Sequence, residues 1–233
     1  MTYIKIRPII NFTVNLIFDY LNLSQYIYTY MKFQVTDILS DDMEDNSNKN
    51  EKKIIITVYG KTEDNKSIIC SFTGYKPYFY MRIPKSWSKS DVNKFIEEKD
   101  DDGKVIGINS FIKPKYGYNP KADLCKITNN DIYNFKELYG YRCDEDKKEL
   151  TSKFVKLKFT SHTAMNTYSE AIREMYSTLK RKKKVSKKLW KQWLKMDKYE
   201  GCDSNLYEAG VHPVIRFIHE TNIQPANWVQ LDV

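Results

Sequence analysis

The sequence predicts an α+β fold made mainly of antiparallel sheets with flanking helices. Short segments rich in β-branched and aromatic residues, each bounded by turn residues, predict the sheets. Apolar residues that recur every three or four positions between residues 164 and 179 predict a long helix packed on them. The 233 residues are 41% hydrophobic and 29% charged. That composition favours a folded chain with a real core over a disordered one.

The strands are predicted from local composition and alternation. The segments concerned are residues 32–39, 53–60, 67–73, 77–83, 154–159 and 228–233. Asp64-Asn65 separates the second segment from the third and predicts a hairpin turn. Residues 40–53 contain no apolar side chain other than Met43, which predicts a solvated loop. Residues 105–131 are rich in Tyr, Lys, Pro and Asn and predict irregular structure.

Three helices are predicted before the basic segment is considered. Ser88 or Ser90 is expected to cap the first, with Asp91 in its N-terminal turn and Val92, Phe95 and Ile96 on its buried side. Ser161 or Thr163 is expected to cap the second. Its buried stripe is predicted to be Ala164, Tyr168, Ala171, Ile172, Met175 and Leu179. The third covers residues 213–220, with Pro213 in its first turn.

One short segment carries the whole charge excess of the chain. The chain has 38 Lys and Arg residues against 30 Asp and Glu residues, a formal net charge of +8. Residues 180–191 hold eight basic residues and no acidic one, so the remainder is neutral. The candidate nucleic-acid-binding residues are therefore Lys180, Arg181, Lys182, Lys183, Lys184, Lys187, Lys188 and Lys191. A local excess of this kind attracts a polyanion to one place on the surface.

The basic segment also predicts a helix with one apolar face. Val185, Leu189, Trp193 and Met196 are spaced by four, four and three residues, and Ser186 is the expected cap. Such a helix, within an insertion over residues 180–197, could follow DNA phosphates while its apolar stripe packs on the domain. The same pattern is compatible with a nuclear localisation signal, with binding to an anionic membrane, or with a solvated insertion.

Residue types that commonly form catalytic or metal sites do not gather in the sequence. The cysteines are Cys70, Cys125, Cys143 and Cys202. Their wide spacing favours reduced thiols in an intracellular protein over a zinc or redox motif. The histidines are His162, His212 and His219, of which the last two could share a helix face. No cysteine or carboxylate completes a site with them, so structural roles such as helix capping are expected.

Residues 1–30 are apolar and aromatic, and several interpretations stay open for them. Asn11 and Asn15 interrupt the apolar core that a signal peptide needs. Asp19 argues against a membrane span and leaves membrane contact as the weaker alternative. The clean alternation that begins at Met31 predicts that a domain starts there. The upstream residues would then form an extension or a loosely packed arm.

Three blocks of residues give the chain a resemblance to a known family. The first is Tyr59-Gly60, Lys76-Pro77-Tyr78-Phe79-Tyr80 and Ile83-Pro84; the second is Tyr139-Gly140-Tyr141 with Phe154-Val-Lys-Leu and the helix that follows; the third is Tyr207-Glu208, Arg216-Phe217 and Asn227-Trp228. In this order they resemble the front end of family B DNA polymerases, especially the delta-like enzymes of eukaryotes and large DNA viruses. The resemblance covers residues 31–233.

The resemblance implies the N-terminal domain of such a polymerase, which flanks template DNA and packs on the exonuclease and palm domains. The Asp-Thr-Asp and Ser-Leu-Tyr-Pro-Ser motifs of the polymerase active site are absent from the sequence. The only Asp-x-Glu match of the exonuclease kind, Asp42-Met43-Glu44, falls in the predicted loop. A non-catalytic DNA-binding and scaffolding portion of a replicative DNA polymerase is therefore expected. Mg²⁺ is expected only in the catalytic domains, so no cofactor is expected in this chain.

The expected organisation has three parts. Residues 1–30 form the arm, residues 31–205 form the N-terminal α+β domain with its basic insertion, and residues 206–233 form a connector and a first strand toward a missing exonuclease domain. That strand is expected to end unpaired, as it would in a fragment of a longer protein.

The expected partners are DNA and the remaining exonuclease and palm portion, in cis or in trans, and no membrane. The expected location is intracellular, in the host nucleus or a cytoplasmic viral factory. The alternative is a stand-alone, non-catalytic module that binds nucleic acid or an anionic surface.

Overall fold

The computed structural model describes residues 4–6, 30–45, 48–97, 99, 103, 106–114, 118–135, 152–181, 188–196 and 205–232. The strands are β1 (Ile4–Ile6), β2 (Tyr30–Asp45), β3 (Asn48–Lys61), β4 (Ser67–Phe72), β5 (Tyr78–Ile83), β6 (Ile132–Phe135), β7 (Ser152–Lys158), β8 (Leu206–Tyr207) and β9 (Trp228–Asp232). The α-helices are α1 (Lys89–Glu97), α2 (His162–Arg181), α3 (Lys188–Leu194) and α4 (Pro213–Thr221). Short 3-10 helices at Ile108–Ser110, Pro120–Asp123 and Asn129–Asp131 occupy the stretch expected to be irregular. The predicted α+β class with mainly antiparallel sheets is confirmed.

Five of the described strands form one sheet in the order β1-β9-β2-β3-β4. β9 pairs in parallel with β1 and antiparallel with β2, and the remaining neighbours are antiparallel. The expectation that the strand over residues 228–233 ends unpaired is therefore wrong. Phe33 of β2 faces Val229 of β9, and both side chains are buried. The apolar alternation of β9 thus reflects packing inside this sheet.

β1 comes from the segment that was expected to be a loosely packed arm. Its three residues pair with β9 at the edge of the sheet. Residues 1–3 and 7–29 lie outside the described residues. Within the described ranges, no helix combines the length and the apolar character needed to cross a membrane.

β2 and β3 form a long hairpin, which corrects the solvated loop predicted over residues 40–53. Asp42 pairs with Ile54, and Met43 pairs with Lys53. The segment is polar because its outward positions are exposed and because the inward Asp42 accepts hydrogen bonds from the start of α2. A strand whose side chains are mostly polar resembles a loop when local composition is the only guide. Asp42-Met43-Glu44 consequently lies on a strand.

Four further strands form a second antiparallel sheet in the order β6-β7-β5-β8. The helices α1, α2 and α3 pack on one face of it. Phe79 of β5 and Phe159 stack in this core with ring centroids 5.4 Å apart. Every residue of the predicted α2 stripe is buried. β6, with only four residues, was not expected from the sequence.

α1 begins with a reciprocal cap that settles which serine starts the helix. The Asp91 carboxylate accepts from the backbone N–H and the hydroxyl of Ser88 at 2.8 and 2.7 Å, and the Asp91 backbone N–H donates to the Ser88 hydroxyl at 3.4 Å. This pair satisfies N–H groups that a helix start leaves without partners. Ser88, not Ser90, is therefore the cap. The side chains predicted for the buried side of α1 are all buried.

α4 closes the core of the five-stranded sheet. Its Phe217 is fully buried and meets the rings of Phe72 and Tyr75 edge-on, with centroids 5.2 and 5.8 Å away. Pro213 occupies the first turn as predicted, where its missing N–H costs nothing. The helix ends at Asn222, whose left-handed φ of 58° lets its N–H bond to the Ile218 oxygen at 2.8 Å.

Candidate nucleic-acid interface

The eight predicted nucleic-acid-binding residues are divided among three parts of the chain. Lys180 and Arg181 end α2, and Lys188 and Lys191 belong to α3. The other four, Lys182, Lys183, Lys184 and Lys187, lie outside the described ranges. The predicted stripe residue Val185 and the predicted cap Ser186 lie outside them as well. Arg181, Lys188 and Lys191 are exposed, and none of the described carboxylates forms an ion pair with them. These three cations therefore face solvent.

α3 is anchored to the body of the protein through its apolar face. Trp193 is fully buried and packs on Phe95 and Tyr176, with ring centroids 5.2 and 5.4 Å away. The remaining described members of the predicted stripe, Leu189 and Met196, pack against the same core. The predicted apolar face is therefore present in the part of the helix that the structure describes.

Two indole hydrogen bonds fix α3 in position as well. Trp193 Nε1 donates to the backbone oxygen of Arg82 on β5 at 3.1 Å. Trp87 Nε1 donates to Oε1 of Gln192 at 2.9 Å. A helix held by two buried indoles presents its lysines in defined places, so it is not a loosely attached charged tail.

A second group of aromatic and basic side chains lies where α4 meets the four-stranded sheet. The ring of Tyr78 has the Arg216 guanidinium carbon 4.0 Å and Lys156 Nζ 3.4 Å from its centroid. Arg216 donates to the Glu208 carboxylate and, at 3.1 Å, to the Glu208 backbone oxygen. The Tyr78 hydroxyl donates to Glu220 at 2.6 Å. Because these groups satisfy one another, they fix α4 on the sheet.

This contact gives a physical reason for part of the family resemblance. Tyr78 belongs to the first block, and Glu208 and Arg216 belong to the third. The two blocks meet in space around one buried guanidinium. Burial lowers the pKa of Lys156, an effect that the nearby Glu220 carboxylate opposes. Tyr78, Glu208 and Arg216 therefore have a structural role that does not depend on DNA. Tyr139-Gly140-Tyr141 of the second block lies outside the described residues.

The fully buried carboxylate of Asp123 was not predicted from the sequence. It accepts hydrogen bonds from the Tyr118 hydroxyl at 2.6 Å, the Ser161 hydroxyl at 2.5 Å and the Lys52 backbone N–H at 3.2 Å. Burial, followed by the bond to Asp123, raises the pKa of Tyr118. The group joins β3 to the start of α2. No local signal marks Asp123, because it lies in a Lys- and Asn-rich stretch that looks like an ordinary loop.

Two of the histidines meet between the starts of α2 and α4. The rings of His162 and His212 are perpendicular, with centroids 5.1 Å apart. His212 Nδ1 accepts from the Val214 N–H at 3.3 Å and caps α4, in line with the expected structural role. Burial, and next the nearby His212, lower the pKa of His162. His212 and His219 do not share a helix face, because His212 precedes the helix.

α2 is capped by groups from two directions. The Ser161 hydroxyl accepts from the Ala164 N–H at 3.1 Å, which identifies Ser161 rather than Thr163 as the local cap. The Asp42 carboxylate accepts from the His162 and Thr163 N–H groups at 2.8 and 2.6 Å. A carboxylate at a helix N-terminus is favoured by the helix dipole as well as by these bonds. Asp42 therefore joins the β2–β3 hairpin to α2.

Two of the four cysteines belong to the described residues. Cys70 and Cys125 are free, and burial raises the pKa of both, that of Cys70 to about 12. Cys143 and Cys202 lie outside the described residues. In the part of the chain that the structure describes, no group of three or more His, Cys, Asp or Glu side chains is arranged to hold a metal ion.

The chain is similar in sequence to DNA polymerases of giant viruses. It is 28% identical over 216 residues to the DNA polymerase of Acanthamoeba polyphaga mimivirus, covering 86% of this chain and 10% of that protein. It is 25% identical over 200 residues to the enzyme of Pyramimonas orientalis virus, covering 86% and 13% of the two chains. It is 26% identical over 203 residues to the enzyme of Paramecium bursaria Chlorella virus NY2A, covering 87% and 16%. No protein-family model matches the chain.

Among solved structures, the family B DNA polymerase from the hyperthermophilic archaeon Pyrobaculum calidifontis is similar with a TM-score of 0.45 and 11% identity, covering 87% of this chain and 20% of that one. The predicted resemblance to viral DNA polymerases is confirmed by the sequence comparisons. The chain spans only 10 to 16% of the length of the viral relatives described above.

Proposed function

We propose that this relative of viral DNA polymerases is the N-terminal DNA-binding and scaffolding portion of a DNA-directed DNA polymerase that acts in DNA replication. The similarity to viral polymerases extends over 86% of the chain, which supports a shared role for the region as a whole. Its small share of each relative's length supports the view that it is one part of a larger enzyme. The rest of that enzyme is then its principal protein partner, in cis or in trans.

The observation that carries the DNA-binding part of the proposal is the anchored basic helix α3. Lys188 and Lys191 are exposed on a helix whose opposite face is buried through Trp193. Lysines that contact phosphates release condensed counterions, and this release drives salt-dependent binding to DNA. A helix already fixed in place loses little backbone freedom when DNA binds. The surface is therefore suited to contact the DNA backbone.

In this proposal the chain supplies no active site of its own. A two-metal nuclease or polymerase site needs carboxylates that hold two cations about 4 Å apart. Asp42, from the only Asp-x-Glu match, is already bonded to backbone N–H groups of His162 and Thr163. The chemistry, with its Mg²⁺, belongs to the remaining portion of the polymerase. The proposed place of action is where viral DNA is replicated, in the host nucleus or a cytoplasmic viral factory.

The second candidate function is a stand-alone, non-catalytic module that binds nucleic acid or an anionic surface. The same anchored helix supports it, because α3 needs no other domain to hold its lysines in place. The two candidates differ in whether the chain affects polymerase activity.

A salt titration tests DNA binding by the whole chain. Fluorescence anisotropy with labelled primer–template DNA should show affinity that falls linearly on a log–log plot against salt. The double variant Lys188→Gln/Lys191→Gln should reduce the slope by about two, since each lost phosphate contact removes roughly 0.9. The matched control Lys113→Gln/Lys126→Gln removes two exposed lysines elsewhere and should keep the slope. Equal slopes for the two variants would rule out α3 as a DNA contact.

A reconstitution assay separates the two candidate functions. A polypeptide carrying the exonuclease and palm portion of the polymerase is assayed on primed template, with and without this chain. Higher activity or longer extension products in the presence of the chain support the polymerase role. The chain alone should show only background activity. If the chain binds DNA but leaves synthesis unchanged and does not associate with the catalytic polypeptide, the stand-alone module is the better description.

A further inference from the structure

The connection between β5 and α1, residues 84–88, lies directly against α3. Trp87 in this connection donates to Gln192 of α3, and Trp193 of α3 donates to the Arg82 oxygen at the end of β5. The connection is itself a tight turn, closed by the Trp87 N–H bonding to the Pro84 oxygen at 3.0 Å. α3 and this turn are therefore fixed against each other.

A third segment brings positive charge to the same place. Lys153, near the start of β7, donates from Nζ to the backbone oxygens of Lys85 and Trp87 at 3.2 and 2.5 Å. Its ammonium group holds the turn in shape. The side chain of Lys85 is exposed, so its own charge stands at the surface of a turn that is fixed from beneath.

The lysines of α3 lie close to this turn because of helical geometry. Lys188 precedes Gln192 by four residues and so lies one turn away on the same helix face. Lys191 is the residue next to Gln192. Asp91 is the carboxylate that contacts this region from α1, and it is already bonded to Ser88 in the helix cap. The hydrogen bonds from Ser88, and after them the charges of Lys94 and Lys153, lower the pKa of Asp91, so this one carboxylate has more than one ammonium group near it.

From this arrangement we propose that the phosphate-binding surface extends beyond the basic segment to the β5–α1 turn, with Lys85 contacting the DNA backbone beside Lys188 and Lys191. The inference rests on the proposed DNA-binding function and adds a residue that lies far outside the basic segment in sequence. Lys153 acts here as a positioning residue, since its ammonium group is bonded to the turn.

The test compares two single variants of the full chain with equal net charge. Lys85→Gln removes the proposed contact. Lys126→Gln removes an exposed lysine that lies about 40 residues further along the sequence, before β6. Both are measured against duplex and primer–template DNA across a range of salt concentrations. Lys85→Gln should reduce the salt slope by about one and weaken binding roughly fivefold near 0.15 M salt, while Lys126→Gln should match the unmodified chain. The loss should add to that of Lys188→Gln/Lys191→Gln.

The outcomes separate the inference from the function on which it rests. If the unmodified chain shows no salt-dependent DNA binding, the proposed function fails and this inference fails with it. If the chain binds and Lys85→Gln behaves like Lys126→Gln, only the inference is overturned. A preference for anionic vesicles over DNA, lost in Lys85→Gln, would also overturn it. Urea unfolding of Lys85→Gln should match that of the unmodified chain, so that a lost contact is not mistaken for lost folding.

Discussion

The buried carboxylate of Asp123 holds together residues from three parts of the chain. It lies on a 3-10 helix, and its partners are Tyr118 just before it, Ser161 at the start of α2 and the backbone of Lys52 on β3. Burying a carboxylate is costly unless hydrogen bonds replace its water. Three hydrogen-bond donors replace the water at this carboxylate. Removing its charge would weaken all three hydrogen bonds together.

Replacing Asp123 with Asn should therefore destabilise the protein by about 2–3 kcal/mol, because charge-assisted bonds are lost and an amide N–H₂ meets groups that were donors. The measurement is the urea unfolding midpoint. Asp41→Asn is the matched control, since Asp41 is exposed on the neighbouring hairpin, and its midpoint should stay near that of the unmodified chain. A small effect at Asp123 would mean that its donors are readily satisfied in another way.

His162 should make the stability of the protein depend on pH. Burial and the nearby His212 lower its pKa below the ordinary value of 6.5, with Asp42 opposing them. The unfolded chain then binds more protons than the folded chain as the pH falls through 6.5, so folded stability decreases in that range. Unfolding midpoints measured from pH 8 to pH 5 should fall less steeply in His162→Gln. His219→Gln, which changes an exposed histidine, should keep the original dependence. Identical pH profiles for all three proteins would contradict this assignment.

At the level of elements, β2 and β3 approach each other closely at one glycine. A Cβ atom on Gly60 would lie 2.3 Å from a ring carbon of Phe33 and 2.7 Å from the backbone oxygen of Gln34. Phe33 is itself almost completely buried, so its ring has little room to move. Gly60 belongs to the Tyr59-Gly60 pair of the family resemblance. Its small size is therefore required by strand packing.

Gly60→Ala should cost about 2 kcal/mol or more, since overpacking a core typically costs 1–3 kcal/mol and one of the clashing atoms here is backbone. Thermal or urea unfolding measures the loss. Gly210→Ala is the matched control, because a Cβ atom there would meet nothing within 4 Å. Comparable stability of the two variants would show that the strands separate easily at this point.

At the level of the whole molecule, two hydrophobic cores are joined by polar contacts. The Ile54 N–H of β3 donates to the Thr160 oxygen at 2.7 Å, and Asp42 of β2 caps α2. On the other side, Arg216 and Tyr78 join α4 to the four-stranded sheet. Since breaking these links would leave buried charges without partners, the two cores should unfold together.

This cooperativity can be measured with tryptophan fluorescence. In Trp228→Phe the remaining tryptophans, Trp87, Trp190 and Trp193, all belong to the core of the four-stranded sheet. Their fluorescence transition in urea should coincide with the far-UV circular dichroism transition, which reports both sheets. A separate, earlier loss of circular dichroism would show that the five-stranded sheet unfolds by itself.

The sequence predicted those elements whose residues carry a local pattern. Four such features could be predicted, because helical spacing is set by the helix itself: the stripe of α2, the buried side of α1, the Pro213 start of α4 and the apolar face of α3. The cap of α1 was narrowed to Ser88 or Ser90, and the structure identifies Ser88. The Asp64-Asn65 turn could be predicted because its residue types are typical of hairpin turns. Asn65 has the positive φ of 62° that such turns use. The polar half of the β2–β3 hairpin could not be predicted, since its side chains are polar and Asp42 accepts its hydrogen bonds from the distant start of α2.

Three features could be predicted from the sequence: the α+β class, the resemblance to viral DNA polymerases and the position of the charge excess. Each of these follows from residue identity and short-range spacing, which can be read from the sequence directly. Three further features became clear from the tertiary structure: β9 is an interior strand, the buried Asp123 and the partly buried Asp42 accept hydrogen bonds from other parts of the chain, and α3 lies against the β5–α1 turn. Those facts depend on contacts between residues far apart in the chain, and local patterns carry no information about such contacts.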